Sequence, residues 1–248
     1  AMETQEYDLM DRVEGRMWWY RALHARVVAC LGRFPGPPSL PLLDAGCGTG
    51  GLLARAVRAF PGRTFVGVDV APEAVRRARR KVPEARLAVA SVSALPFAGE
   101  SFAAVVSCDV LCHRLVEEER ALAEFFRVLA PGGTLILNLP AHEWLRSAHD
   151  ERVHNARRYT RRALGSRLER AGFAVCELRH WNTLLLPLMV LKRKMLARGR
   201  AGNSDVALLP PPIEAIFRAV TGAEGLLARA GVRFPAGGSL LAVAQRPV

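Results

Sequence analysis

Nine residues constrain this chain more than any others: Leu42-Leu43-Asp44-Ala45-Gly46-Cys47-Gly48-Thr49-Gly50. A short apolar run reads as a buried strand that delivers the chain into a glycine turn, and Leu52 to Phe60 continues with helical periodicity. Side chains at Gly46, Gly48 and Gly50 would occupy the space of a ligand lying against the backbone. The turn alone leaves the ligand open, because Gly46, Gly48 and Gly51 also satisfy the dinucleotide GxGxxG pattern. In a dinucleotide site the following helix N-terminus neutralises a pyrophosphate.

Around this turn the apolar period alternates between strand and helix. Helical stretches at Tyr7 to Met10 and Trp18 to Leu31 precede a Pro/Gly break from Phe34 to Pro41. Strands are expected at Phe65–Val70, Leu87–Ala90, Ala103–Ser107 and Thr134–Leu139, with helices at Pro72–Lys81 and Glu117–Leu129 between them. Ala130-Pro131-Gly132-Gly133 reads as the stop before the fifth strand. A helix near Thr160 to Ala171, a strand from Phe173 to Leu178 and a remote last strand, Ser239 to Ala244, complete the pattern. Such alternation indicates an α/β fold whose mostly parallel sheet is covered on both faces. The 248 residues suit one domain: N-terminal helices over 1–33, a core over 40–181 and 239–248, and an inserted cap over 182–238.

Composition excludes more than it selects. No apolar run is long enough to span a membrane, and the acidic start (Glu3, Gln5, Glu6, Asp8) has no signal-peptide pattern. Five cysteines without a CxxC pair predict reduced thiols and a cytoplasmic location. Cys108, Cys112 and His113 lack a fourth ligand, so no metal is expected. The net charge of +12 comes almost wholly from arginine, lysine standing only at Lys81, Lys192 and Lys194. It favours anionic partners, but aromatics at 7% argue against a nucleic-acid surface.

Three further markers sharpen the reading. In Val66-Gly67-Val68-Asp69-Val70 a carboxylate ends the second strand, where it can accept both hydroxyls of a ribose. Ala94-Leu95-Pro96-Phe97 with Ser101-Phe102 leads through the fourth strand to Asp109-Val110-Leu111, and Arg127-Val128-Leu129-Ala130-Pro131-Gly132-Gly133-Thr134 follows. In this order and spacing, over roughly Asp44 to Ala174, the markers resemble the class I S-adenosylmethionine-dependent methyltransferases, particularly a bacterial small-molecule branch. The resemblance implies a Rossmann-like, seven-stranded sheet with an antiparallel last strand and S-adenosylmethionine as methyl donor. That donor carries a sulfonium and an ammonium instead of a phosphate, which suits Asp44 ahead of the glycines. Gly46, Gly48 and Gly50 would approach its amino-acid part, Asp69 its ribose, and Ser91-Val92 its adenine, with Val70 and Asp109 beside them. Serine replaces the aspartate many relatives have at Ser91, and Ala103 replaces the usual aspartate after Phe102. Glu14 and Trp18-Trp19-Tyr20-Arg21 resemble the lid helices of this branch, with Tyr20 a donor contact through cation–π attraction.

The acceptor side is expected after the fifth strand, because ligands gather at the carboxyl ends of open α/β sheets. His142, Glu143, Trp144, His149, Asp150, Arg157, Arg158 and Tyr159 lie there. Transfer from a sulfonium depends mainly on positioning. Where a base is needed, His149 with Asp150 is the first expectation and His142 or His113 the next. His113, Trp144, Arg157, Arg158 and Tyr159 are expected to bind an acceptor that is small and, from the cap's leucines and nearby arginines, partly apolar and anionic. Leu184 to Leu191 followed by Lys192-Arg193-Lys194 suits either packing or an anionic membrane. A dehydrogenase would explain the glycines and Asp69 but not Pro131-Gly132-Gly133. An RNA methyltransferase is disfavoured by the lack of an Asn-Pro-Pro-Tyr-type motif, and a non-catalytic donor-binding subunit stays open, as do the oligomeric state and the methylated atom.

Overall fold

Strands β1 (Leu42–Ala45), β2 (Phe65–Asp69) and β3 (Arg86–Val89) pair in parallel, as do β1 with β4 (Phe102–Cys108) and β4 with β5 (Leu129–Pro140). In this computed structural model, which describes residues 4–147, 150–151, 154–196 and 208–248, β6 (Ala174–Trp181) and β7 (Ser239–Gln245) complete one sheet in the order β3-β2-β1-β4-β5-β7-β6. The late strand β7 slots between β5 and β6, antiparallel to both. The seven strands and the antiparallel last one match the expected fold.

The alternation of side chains along each strand divides the core in two. Leu43, Ala45, Val66, Val68, Val105, Leu135 and Leu137 face α5 (Glu118–Val128) and α6 (Arg161–Arg170) through Leu122, Phe125, Leu164 and Leu168. Leu42, Phe65, Ala104, Val106 and Ile136 face the other way, against α2 (Trp18–Arg33) and α3 (Gly51–Ala59) through Val27, Leu31, Leu53 and Ala56, with α4 (Pro72–Lys81) alongside. A first helix, α1 (Thr4–Val13), packs Tyr7 on Ala71 and Ala74 at the start of α4. Strand β5 begins at Leu129 rather than Thr134. Leu129 pairs with Phe102, and the ladder resumes at Ala104 opposite Thr134, so the Pro-Gly-Gly stretch is a bulge inside the strand.

The insertion is closed at its base, where the Gly238 amide donates to the Asn182 carbonyl at 3.2 Å and the Thr183 hydroxyl to Ala236 O at 2.6 Å. It carries α7 (Leu186–Leu196) and α8 (Pro211–Arg229). Helix α8 does not simply roof the sheet; it lies along α2, with Trp18 edge-on to Phe217 at 5.3 Å. Two buried carboxylates hold it there. Glu214 accepts from the Trp18 amide at 2.8 Å and the Leu209 amide at 3.1 Å. Glu224 accepts from the amides of Asn182, Thr183 and Leu184 and from the Arg26 guanidinium. Arg26 lies in turn over the Trp181 ring, 4.6 Å from its centre.

Replacing Glu224 would leave three backbone donors and a mostly buried guanidinium without their acceptor. Glu224→Ala should cost about 3–5 kcal/mol in urea unfolding, the range for breaking a buried ion pair. A loss below ~1 kcal/mol would show that water readily replaces the carboxylate.

Candidate active site

The first βα turn is built around contacts that a side chain would block. Gly46 has φ +92°, and a Cβ there would lie 2.2 Å from Val110 Cγ2, so the β1 turn and the loop after β4 touch. Asp69 at the end of β2 accepts from the Gly48 amide and from the Ala71 amide, each at 2.9 Å. Its carboxylate therefore joins the two turns. Val70 and Val89, at the ends of β2 and β3, are half exposed and offer an apolar surface beside Asp69. Val89 carried no signal in sequence beyond its place at the end of β3. Val92 is buried, whereas Ser91 is exposed and its hydroxyl accepts from the Ser93 amide at 3.2 Å.

Acids crowd this turn. Asp44 is buried at the end of β1, and its carboxyl is pushed up to about 8 by burial first, then by the charges of Asp69 and Glu14; among the described residues no hydrogen bond or cation offsets these. Burial also raises Asp69, opposed by its backbone hydrogen bonds. Glu14, from the turn after α1, accepts the Thr49 hydroxyl at 2.7 Å and pairs with Lys81; burial raises it nonetheless. Its Oε2 lies 2.3 Å from where a Cβ on Gly51 would be, and the end of Met10 is 2.8 Å from the same point on Gly48. The N-terminal segment thus lies directly over the glycine turn. Tyr20 is edge-on to Trp19, and burial, then Glu14 and Asp109, hold its phenol in the neutral form.

A second polar chain begins where β4 ends. Asp109 adopts φ +55°, a conformation that costs a non-glycine residue about 1–3 kcal/mol. Its carboxylate accepts from Asn138 Nδ2 at 2.9 Å, and Asn138 Oδ1 accepts from the Trp181 indole at 2.7 Å. Burial raises the Asp109 carboxyl to about 7 against the lowering effects of Asn138 and Arg158. Asn138 and Trp181 escaped the sequence reading because each reads as an ordinary strand residue.

On the acceptor side the structure divides the expected residues. Asp150 is fully buried, and although burial opposes it, Arg158 holds its carboxyl below the usual range; the two form a bidentate pair at 3.1 and 2.9 Å. Arg158 also donates to Ala141 O. Arg157 donates to the carbonyls of Leu111, His113 and Val116, and the buried Tyr159 hydroxyl donates to Leu111 O at 3.1 Å. Arg157 and Tyr159 tie the loop after β5 to the loop after β4, and Asp150 and Arg158 close on each other within the loop after β5, so these side chains make bonds inside the chain where a grip on a substrate or a dyad with His149 was expected. The paired Asp150 and Arg158 have little left to offer a ligand, whereas Arg157 is bonded through Nη1 alone. His149 lies outside the described residues.

The side chains of His142 and Trp144 take no part in these bonds. His142 adopts φ +56°, stacks on His180 at 5.0 Å and lies 5.6 Å from the exposed Trp144 ring. Its Nε2 is buried without a hydrogen-bond partner. Burial and then Arg158 lower its pKa, so the imidazole is neutral near pH 7. His113 is half-buried, its backbone bridged to Asn155. Among the described residues no three His, Cys, Asp or Glu side chains are grouped to hold a metal.

A family model described as a methyltransferase domain matches residues 42–133. The malonyl-[acyl-carrier protein] O-methyltransferase of Methylococcus capsulatus is 34% identical over 193 residues, covering 71% of this chain and 69% of that protein. The demethylmenaquinone methyltransferase of Thermus thermophilus is 39% identical over 100 residues, 39% of this chain and 45% of its own length. The chain spans about half the length of the first curated relatives it matches. Among solved structures, a chain from the complex containing the Haloferax volcanii Trm112 methyltransferase activator shares the fold, with TM-score 0.64 at 22% identity over 98% of both chains.

The Asp44 carboxyl gives a pH test of this site. It keeps its proton up to about 8 in the folded chain, against an ordinary 3.8. The folded state therefore binds the extra proton between these values. The stability so gained is complete below the lower value and is lost as pH rises through the upper one. Asp44→Asn removes this loss, so the variant should gain on the wild type in urea unfolding as pH rises from 3.8 to about 8. A constant difference across that window would mean that Asp44 is ionised without its ligand.

Proposed function

Given that this chain belongs to the class I S-adenosylmethionine-dependent methyltransferases, we propose that it transfers the donor's methyl group to a small, partly apolar acceptor. The single observation that carries the reading is the buried Asp44 carboxyl, crowded by Asp69 and Glu14 and without a partner beside the glycine turn. A phosphate would be repelled from such a place, whereas a ligand with two positive centres relieves it. When bound, the donor supplies a methyl carbon on a sulfonium, open to in-line displacement by a nucleophile.

The chain's own residues then divide the work. Asp44 faces the donor's positive charge, Gly46, Gly48 and Gly50 let its amino-acid part approach the backbone, and Asp69 holds the ribose hydroxyls. Val70, Val92 and Ser91 border the adenine, with Val89 extending the apolar wall. Tyr20 and the segment bearing Met10 and Glu14 cover the donor and exclude water, which strengthens every electrostatic contact inside. Asp109, held by Asn138, lines the passage between donor and acceptor. His142, neutral near pH 7 and next to Trp144, is the group best placed to take a proton from an acceptor hydroxyl or amine. Arg157 and Arg158 are bonded internally, so the reading needs no anionic end on the acceptor.

Calorimetry with S-adenosylmethionine tests the donor half. Asp69→Asn should weaken binding about 10- to 100-fold, as expected for hydrogen bonds lost from a charged acceptor; unchanged affinity would remove Asp69 from the site. For the acceptor half, His142→Ala should leave donor affinity intact and lower turnover by roughly 10²–10⁴ on any acceptor that needs a base. Undiminished turnover would leave positioning as the sole source of rate.

A further inference from the structure

Helix α8 is inside out. Its buried face presents Glu214, Thr221 and Glu224 to the rest of the chain, while Ile213, Ile216, Leu226 and Leu227 are exposed, Ile216 at 58% and Leu226 at 64%. Ile213, Ile216, Ala223 and Leu227 fall on one stripe of the helix, while Phe217 and Val220 pack inward on the cluster of Val13, Met17, Trp18 and Leu185. The preceding helix repeats the pattern with Leu184 just before it and Leu188 and Leu191 within it, all exposed. Nine of the fourteen large apolar side chains that are exposed among the described residues lie between Leu184 and Val232. Scattered exposed leucines need no explanation, but this concentration on one insertion marks an interaction surface.

Charge selects the occupant. Residues 182–238 contain eight Lys and Arg and three Asp and Glu, and two of those acids, Glu214 and Glu224, are buried in backbone hydrogen bonds. Among the described residues the outward surface of the insertion is apolar and basic, with Arg218, Arg229 and Arg233 exposed on it, and in sequence the apolar run of α7 ends in Lys192-Arg193-Lys194. A second copy would bring two basic surfaces together, which disfavours self-association. No helix among the described residues is long and apolar enough to cross a bilayer, so the surface would lie on one. We propose that the insertion docks on an anionic membrane through α8, with Ile213, Ile216, Leu226 and Leu227 set among the headgroups and Arg218, Arg229 and Arg233 on the lipid phosphates. The inference does not rest on methyl transfer. A lipid-borne acceptor would be one consequence of combining the two.

Flotation of the full chain with vesicles tests it. Binding to phosphatidylcholine containing about a third phosphatidylglycerol should exceed binding to phosphatidylcholine alone by about tenfold or more, and should fall at ~0.5 M salt. The double variant Ile216→Asp, Leu227→Asp alters only exposed positions, so it should keep the wild-type circular dichroism and melting temperature while losing about tenfold or more in vesicle affinity. Equal binding to both vesicle types, or a double variant that binds like the wild type, would overturn the proposal. So would sedimentation showing a wild-type dimer that the double variant dissolves, or wild-type chain that ignores vesicles and is captured only by an acidic partner protein.

Discussion

The Asp69 carboxylate is the point on which the site's geometry depends. It accepts the amide of Gly48 in the first βα turn and that of Ala71 at the start of α4. Two loops that meet nowhere in sequence thereby become one surface. A group already bonded to backbone donors is held in one place with free lone pairs left over, which is what recognition of a ribose demands. The same arrangement crowds Asp44, Asp69 and Glu14 together, with Lys81 paired to Glu14. Such an assembly is costly without a ligand of positive charge, and that cost is the reason it selects one.

The acceptor side is stiffened by a different device. Arg157 gathers three carbonyls of the loop after β4, Tyr159 adds a bond to Leu111, and Arg158 closes on the buried Asp150. The charged run that looks from sequence like a substrate grip is an internal clamp. Such bonds hold the loop after β5, which carries His142 and Trp144, in one arrangement against the loop after β4. Asp109 and His142, both at positive φ, sit at the two ends of this clamped region.

The insertion shows how a polar face can pack inward. Glu214 and Glu224 would be poor choices for a buried helix face unless backbone donors awaited them. The buried start of α2 and the chain leaving β6 supply those donors. With the carboxylates turned in, Phe217 and Val220 still pack on the chain, but Ile213, Ile216, Leu226 and Leu227 are left facing outward. One packing decision thus anchors the insertion to α2 and creates the basic, apolar surface on its far side.

The local rules of the chain were enough for the sheet. Strand and helix periods, the glycine turn, and Asp69 at the end of β2 are set by neighbours in sequence, so the order of elements and the meeting of that turn with Asp69 were legible there. The bulge at Pro131-Gly132-Gly133 was misread as a boundary because strand pairing across to Phe102, not local propensity, decides where β5 begins. Arg157 and Arg158 were misread because a guanidinium on a loop looks the same whether it meets solvent, a ligand or three carbonyls; only the folded approach of the two loops tells them apart. Asn138 and Trp181 were invisible because their bonds join strands β5 and β6 across the interposed β7. What sequence determined was the period and the turn chemistry. What tertiary structure decided was the partner of each charged side chain, since that depends on contacts between residues dozens to hundreds of positions apart.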